Sequence, residues 1–286
     1  MSGPHKLWNL LVEAPKGLVA GRRSVPAFGL PFEVLWIPSR GSREGVPGGD
    51  RPNFAKSRGL RIREEEALWA GREAILTPNL YPFATRHGLL WPREGHPREW
   101  PMPFLQEAFA LLEENGGTLL GNSVGASASI PLCHLHLFPE KSPVWPRVEW
   151  EELGVVQVGG EVLHAATPSR AFPLLLVRIS GGNSHSRAAL CRALLDRRMT
   201  PAVNLGATCS EVYLFPRRVE VPEPYYDHAL GGMELFGRFV YPEEQGFLGA
   251  GKGDLECALK GALVPMREEE RRALRTVLRE IGERKL

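Results

Sequence analysis

Apolar positions recur with helical spacing in a few stretches of the chain and as short runs or alternations elsewhere. Phe104, Leu105, Ala108, Leu111 and Leu112 stand at i, i+1, i+4, i+7 and i+8, which predicts one face of a helix over 103–114. Asn115-Gly116-Gly117 supplies its stop. Leu274, Val277, Leu278 and Ile281 predict a last helix over about 267–283, with charge on most other positions, and a third helix is expected from about Arg187 to Arg198. Short strands are predicted at Ala74–Leu76, Leu89–Trp91, Thr118–Leu120, Leu132–Phe138, Leu174–Ile179, Ala202–Leu205 and Val212–Phe215, with a hairpin across Gly159-Gly160. Residues 1–30 read as a mixed lead-in with one apolar stretch, Leu7–Leu11, and Ser39–Arg63 as a long Gly-, Arg- and Pro-rich loop. A Pro-rich break near residue 145 (KSPVWPRVEW) divides the chain. Each part then reads strand, strand, helix, strand, strand. The expected class is α+β, with two similar halves, 1–148 and 149–286, each an antiparallel sheet with a packed helix.

Composition narrows the setting. The 286 residues are 43% hydrophobic and 24% charged, ordinary for a globular protein with an ample core. A formal charge of +2 is too mild to point to nucleic acid as the partner. Arginine supplies 28 of the 35 basic residues, a bias that suits phosphate without requiring it. The four cysteines, Cys133, Cys191, Cys209 and Cys257, show no paired spacing and read as reduced thiols, hence a cytoplasmic setting. The start, MSGPHKLWNLL, lacks a signal-peptide pattern, and no apolar run approaches a membrane span, so neither membrane nor nucleic acid is expected as a partner.

The chemistry concentrates in Gly121–Pro139, GNSVGASASIPLCHLHLFP. Period-two alternation puts His134, His136 and Phe138 on one face and Leu135 and Leu137 on the other. Two imidazoles thus stand beside a loop of Gly, Ala and Ser, whose backbone N–H groups can approach an anion closely. A neutral imidazole nitrogen is a good nucleophile toward phosphorus, and the phosphoramidate it forms is labile enough to pass the group on. The other ring nitrogen must meet an acceptor, and a backbone carbonyl near His134 is the expected one. A bare His-x-His on a strand equally suits a pair of satisfied polar residues or half of a metal site; the preceding loop favours the phosphate reading.

These residues resemble the active-site segment of the GalT-like branch of the histidine-triad superfamily, which includes hexose-1-phosphate uridylyltransferases, diadenosine tetraphosphate phosphorylases and GDP-sugar phosphorylases. The resemblance implies a HIT-like fold, phosphate binding by Asn122, Ser127 and Ser129, an orienting role for His134, and nucleotidylation of His136. Thr77–His96 (TPNLYPFATRHGLLWPREGH) resembles the nucleoside-pocket strands of the superfamily, placing Asn79, Pro82, His87 and His96 there. Val203–Arg218 resembles a strand pair in the second half of the phosphorylases, and His228–Gly237 a later glycine-containing segment. Two departures stand out. Phe138 occupies the position of a Gln or third His, so that phosphate contact is missing or comes from elsewhere, Arg217 or His96, and Phe138→Gln is expected to speed transfer by about tenfold or more unless loss of the aromatic packing destabilises the strand. RPNFAK (Arg51–Lys56) has Asn53 and Lys56 where some relatives carry zinc-binding thiols, so no metal and no cofactor are expected.

Other motifs read blandly. AGKGD (Ala250–Asp254) lacks phosphate-loop spacing and suits a turn before a helix. The glutamate runs at 64–66 and 268–270 suit helix ends, and His185 a capping turn. The expected activity is nucleotidyl transfer or nucleotide phosphorolysis. The substrate would be a nucleoside diphosphate sugar or dinucleoside polyphosphate, with phosphate or a sugar phosphate as acceptor. A hydrolase of the same fold and a nucleotide-binding protein of weak catalysis are the alternatives, and assembly as a homodimer is left open.

Overall fold

A computed structural model describes residues 6–11, 13, 18–41, 66–79, 82–94, 99–128 and 132–284. The Arg51–Lys56 segment, Ser129 and His96 lie outside them.

Ten strands form one antiparallel sheet. The first half supplies β3 (Trp69–Ala70), β4 (Ala74–Pro78), β5 (Gly88–Pro92), β6 (Thr118–Asn122) and β7 (Leu135–Phe138); the second supplies β8 (Trp150–Val158), β9 (Glu161–Pro168), β10 (Val177–Gly181), β11 (Val203–Ala207) and β12 (Glu211–Pro216). Their order across the sheet is β3-β4-β5-β7-β6-β11-β12-β10-β9-β8. Each half is therefore a three-strand meander, a helix, and a hairpin whose second strand returns to pair with the third strand of the meander. The helices are α2 (Met102–Asn115) in the first half and α3 (Ser184–Asp196) in the second. The halves join edge to edge where β6 meets β11, in a register that sets Asn122 opposite Asn204.

Both faces of the sheet are covered. Inward-pointing residues of one parity, among them Leu76, Leu90, Leu119, Leu135, Leu137, Leu205 and Leu214, pack under α2, α3, the short α1 (Lys6–Leu10) and the terminal α7 (Glu268–Glu283). The opposite parity, including Leu120, Phe138, Tyr213 and Phe215, packs into a second core. That core is closed by a small sheet of β1 (Gly21–Ala27), β2 (Leu30–Trp36) and β13 (Arg238–Tyr241), and by α4 (Gly232–Phe236), α5 (Glu244–Gly249) and α6 (Lys252–Ala262). β13 runs parallel to β2, so a late strand completes a sheet begun near the start of the chain.

The elements start and stop for recognisable reasons. Asn183 caps α3 by accepting from the Ser186 N–H, so the helix begins three residues before the expected Arg187, and His185 lies in its first turn with Gln106 against its ring. Gly251 and Asp254 form the start of α6, and Glu268–Glu270 the acidic first turn of α7. β7 begins at Leu135, not Leu132, and β10 at Val177 with only an isolated bridge at Leu174. β1 and its turn lie within the stretch read as a lead-in, and β2 runs on from its end. The turn places Phe28 and Gly29 both at positive φ (51° and 75°), a conformation for which Asn-Gly is the usual signal, and Pro26 and Pro31 interrupt the strand pattern.

Candidate active site

β7 lies between β5 and β6, with Leu89 and Leu120 as the register partners of His136. Leu135 and Leu137 go to the helix side, which turns His136 and Phe138 to the other face. Three imidazoles gather there. The His136 ring is 5.2 Å from that of His134 and 5.1 Å from that of His87, the residue just before β5. Nε2 of His87 is 3.0 Å from Nδ1 of His136.

Each ring is held differently. His134 donates from Nδ1 to the Leu132 carbonyl at 2.8 Å, and its ring packs tilted against Trp91 at 4.9 Å. Burial holds its pKa below the ordinary histidine value, against the raising effect of that hydrogen bond, so His134 is neutral with its proton on Nδ1. The carbonyl expected to orient His136 thus serves His134, and His87 meets His136. His87 accepts the Phe83 N–H at Nδ1 (3.3 Å), and the Asn79 amide nitrogen stands 3.2 and 3.1 Å from its two ring nitrogens. The Phe83 ring packs 4.0 Å from His87 and 5.3 Å from His136.

The Gly/Ser loop follows β6 and is clamped by the second half of the chain. Asn122 Oδ1 accepts from Asn204 Nδ2 (2.7 Å) and from the Gly232 N–H (2.9 Å), and its amide donates to the Ser127 carbonyl (3.3 Å). A Cβ on Gly232 would stand 3.1 Å from Asn122 Oδ1, so a side chain there would press on the amide and push it back by a few tenths of an ångström. Asn204 also donates to the Ala126 carbonyl at 2.8 Å. Ser127 has φ +70°, its N–H bound to Glu220 at 2.8 Å and its hydroxyl 3.4 Å from the Ala229 carbonyl.

Arg217 lies beneath this loop and not in it. It is 2% exposed, and its terminal nitrogens donate to Asn204 Oδ1 and to the carbonyls of Leu230, Val219 and Glu220. Burial lowers its pKa to about 10, offset in part by Glu234 and Glu220, which leaves it charged at neutral pH. As folded, these donors are committed to the protein, so the phosphate contact expected of Arg217 is replaced by a supporting one. Phe138 is likewise sunk: fully buried, with its ring edge-on to Phe83 (5.6 Å) and Phe236 (5.2 Å).

Four contributors were not anticipated: Asn204, Phe83, Trp91 and Thr77, whose hydroxyl accepts the Trp91 indole N–H at 3.0 Å. Asn204 had a sequence signal, a lone amide in the otherwise apolar VNLGA strand. Among the described residues, no group of three or more His, Cys, Asp or Glu is placed to hold a metal ion, and no helix is long and apolar enough to cross a membrane.

No family model matches the chain, and no curated protein matches it in sequence. Solved structures do. Yeast Ap4A phosphorylase Apa2 in complex with Ap4A superposes with a TM-score of 0.64 at 13% identity, over 93% of this chain and 99% of that one. The same enzyme in complex with AMP gives 0.63 at 13% identity, over 86% and 88%. This likeness spans both halves and shows the fold: the chain has the HIT-like α+β architecture of that phosphorylase.

Proposed function

We propose that this protein is a nucleotidyltransferase or nucleotide phosphorylase in which His136 is the nucleophile. The observation that carries the reading is the imidazole cluster, with His87 Nε2 3.0 Å from His136 Nδ1 beside the loop anchored through Asn122. Nε2 of His136 forms a bond to the α-phosphorus of a dinucleoside polyphosphate or nucleoside diphosphate sugar, and the phosphorus–oxygen bond to the rest of the substrate breaks, its electrons leaving on that oxygen. An oxygen of phosphate or a sugar phosphate then attacks, and the nitrogen–phosphorus bond breaks. Attack from Nε2 requires the His136 proton on Nδ1, where His87 Nε2 can accept its hydrogen bond. His87 then carries its own proton on Nδ1, so the 3.3 Å bond from the Phe83 N–H must yield as the dyad reverses polarity. The neutral His134 adds a second ring beside the reacting group without adding charge.

Product analysis tests this reading. Dinucleoside polyphosphates and nucleoside diphosphate sugars should turn over beyond one equivalent per chain only when phosphate or a sugar phosphate is present. Consumption by water alone would replace transfer with hydrolysis. Binding without turnover would favour a nucleotide-binding protein, the reading that buried Phe138 supports because it offers phosphate no donor.

A further inference from the structure

Resting on that nucleotide reading, we propose that Arg40 binds the phosphates beyond the one attacked and so selects substrates that carry a phosphate chain. Arg40 ends the 3-10 turn Pro38–Arg40 that follows β2, an element far from the His-x-His motif in sequence. Its guanidinium lies over the Phe83 ring at 5.8 Å, and that ring is 5.3 Å from His136. Phe83 is thus a neighbour common to the nucleophile and to a cation.

The cation is available. Among the described residues no hydrogen bond or ion pair engages the Arg40 guanidinium; stacking on an aromatic face leaves its planar fork of N–H groups for an anion. The neighbouring arginines are committed: Arg217 to the carbonyls beneath the loop, and Arg238 to Glu33 and Glu140. The carboxyl of Glu234 is close enough to Arg40 for their charges to interact, but among the described residues it makes no ion pair with the guanidinium. Its Oε2 accepts the Gly231 N–H at 2.8 Å, and Oε1 is 3.1 Å from the Tyr226 hydroxyl. That hydroxyl has one proton and stands 2.8 Å from the Val240 carbonyl, which can only accept. Tyr226 directs that proton toward both Glu234 Oε1 and the Val240 carbonyl, so both carboxyl oxygens of Glu234 have partners other than Arg40. Burial raises the Glu234 pKa, against the lowering effect of its hydrogen bonds and of Arg40.

The test is calorimetric titration of the full chain with ATP and with AMP, comparing wild type, Arg40→Gln and Arg40→Lys. The expected result is that wild type binds ATP at least about tenfold more tightly than AMP, that Arg40→Gln loses this preference while its AMP affinity changes by no more than about threefold, and that Arg40→Lys keeps most of it. A preference that survives in Arg40→Gln, or one absent from wild type, overturns the assignment of Arg40 and leaves the nucleotide reading standing. Binding of neither nucleotide by wild type overturns that reading and this inference with it. Thermal unfolding of the variants should match wild type to within about 2 °C, because a single cation–π contact from a partly exposed arginine contributes little stability.

Discussion

His134 and His136 are two positions apart in one short motif, yet burial separates them: His134 is 2% exposed and packed against Trp91, while His136 is half-buried and faces His87. Holding His134 neutral has a consequence for stability. Its folded pKa lies below its unfolded value of about 6.5, so below that pH the unfolded chain binds the extra proton and the native state is disfavoured. Its contribution is intact above about pH 6.5 and is lost as pH falls toward the folded value. Melting temperatures measured from pH 8 to 5.5 should therefore drop more steeply for wild type than for His134→Asn; equal slopes would contradict the neutral assignment. Phe138 reverses the expectation drawn from its position. A Gln there would bury an amide among Phe83, Phe236 and His87 and remove the aromatic contacts. Phe138→Gln should cost about 3 kcal/mol in denaturant unfolding, with no gain in transfer rate. A stable variant with faster transfer would show that an amide fits there and reaches the phosphoryl group.

At the scale of elements, the junction of β6 and β11 does the positioning. Asn122 and Asn204 face each other across it, and Arg217 at the end of β12 fixes Asn204 from below. Asn204→Ala removes the bonds to Asn122 Oδ1 and the Ala126 carbonyl and leaves Arg217 short of an acceptor. It should cost about 1–3 kcal/mol and slow any nucleotidyl transfer by more than the unfolded fraction explains. An unchanged rate per folded molecule would show that the loop needs no such anchor. Much of this frame was legible in the chain. The period-two faces of Leu135–Phe138 and the helical face of Phe104–Leu112 are local, and local patterns survive folding. The role of Arg217 was not legible, because it depends on residues 219–230 folding back so that their carbonyls meet its guanidinium. The β1–β2–β13 sheet was hidden for a similar reason: β13 is four residues long and finds its partner about 200 residues away in sequence. Glu220, Glu234 and Arg40 likewise acquire their meaning only from neighbours distant along the chain.

Across the whole molecule the two halves repeat one strand order, but they do not offer two sites. Where β7 presents His136 and Phe138, the second-half counterpart β12 presents Tyr213 and Phe215 on the same face of the sheet. Trp145 stacks on Tyr213 at 4.2 Å, and a Cβ on Gly206 would come within 2.2 Å of the Trp145 ring. That space is filled, and the second half acts instead through Asn204, Arg217 and Gly232 on the loop of the first. One nucleophile per chain is the central claim, and intact-mass measurement after brief exposure to dinucleoside polyphosphates and nucleoside diphosphate sugars without an acceptor tests it most directly. The predicted result is one acid-labile nucleotidyl group per chain, carried on His136 and absent from a folded His136→Asn variant. No adduct with any of these nucleotides, or equal labelling of the variant, would contradict it.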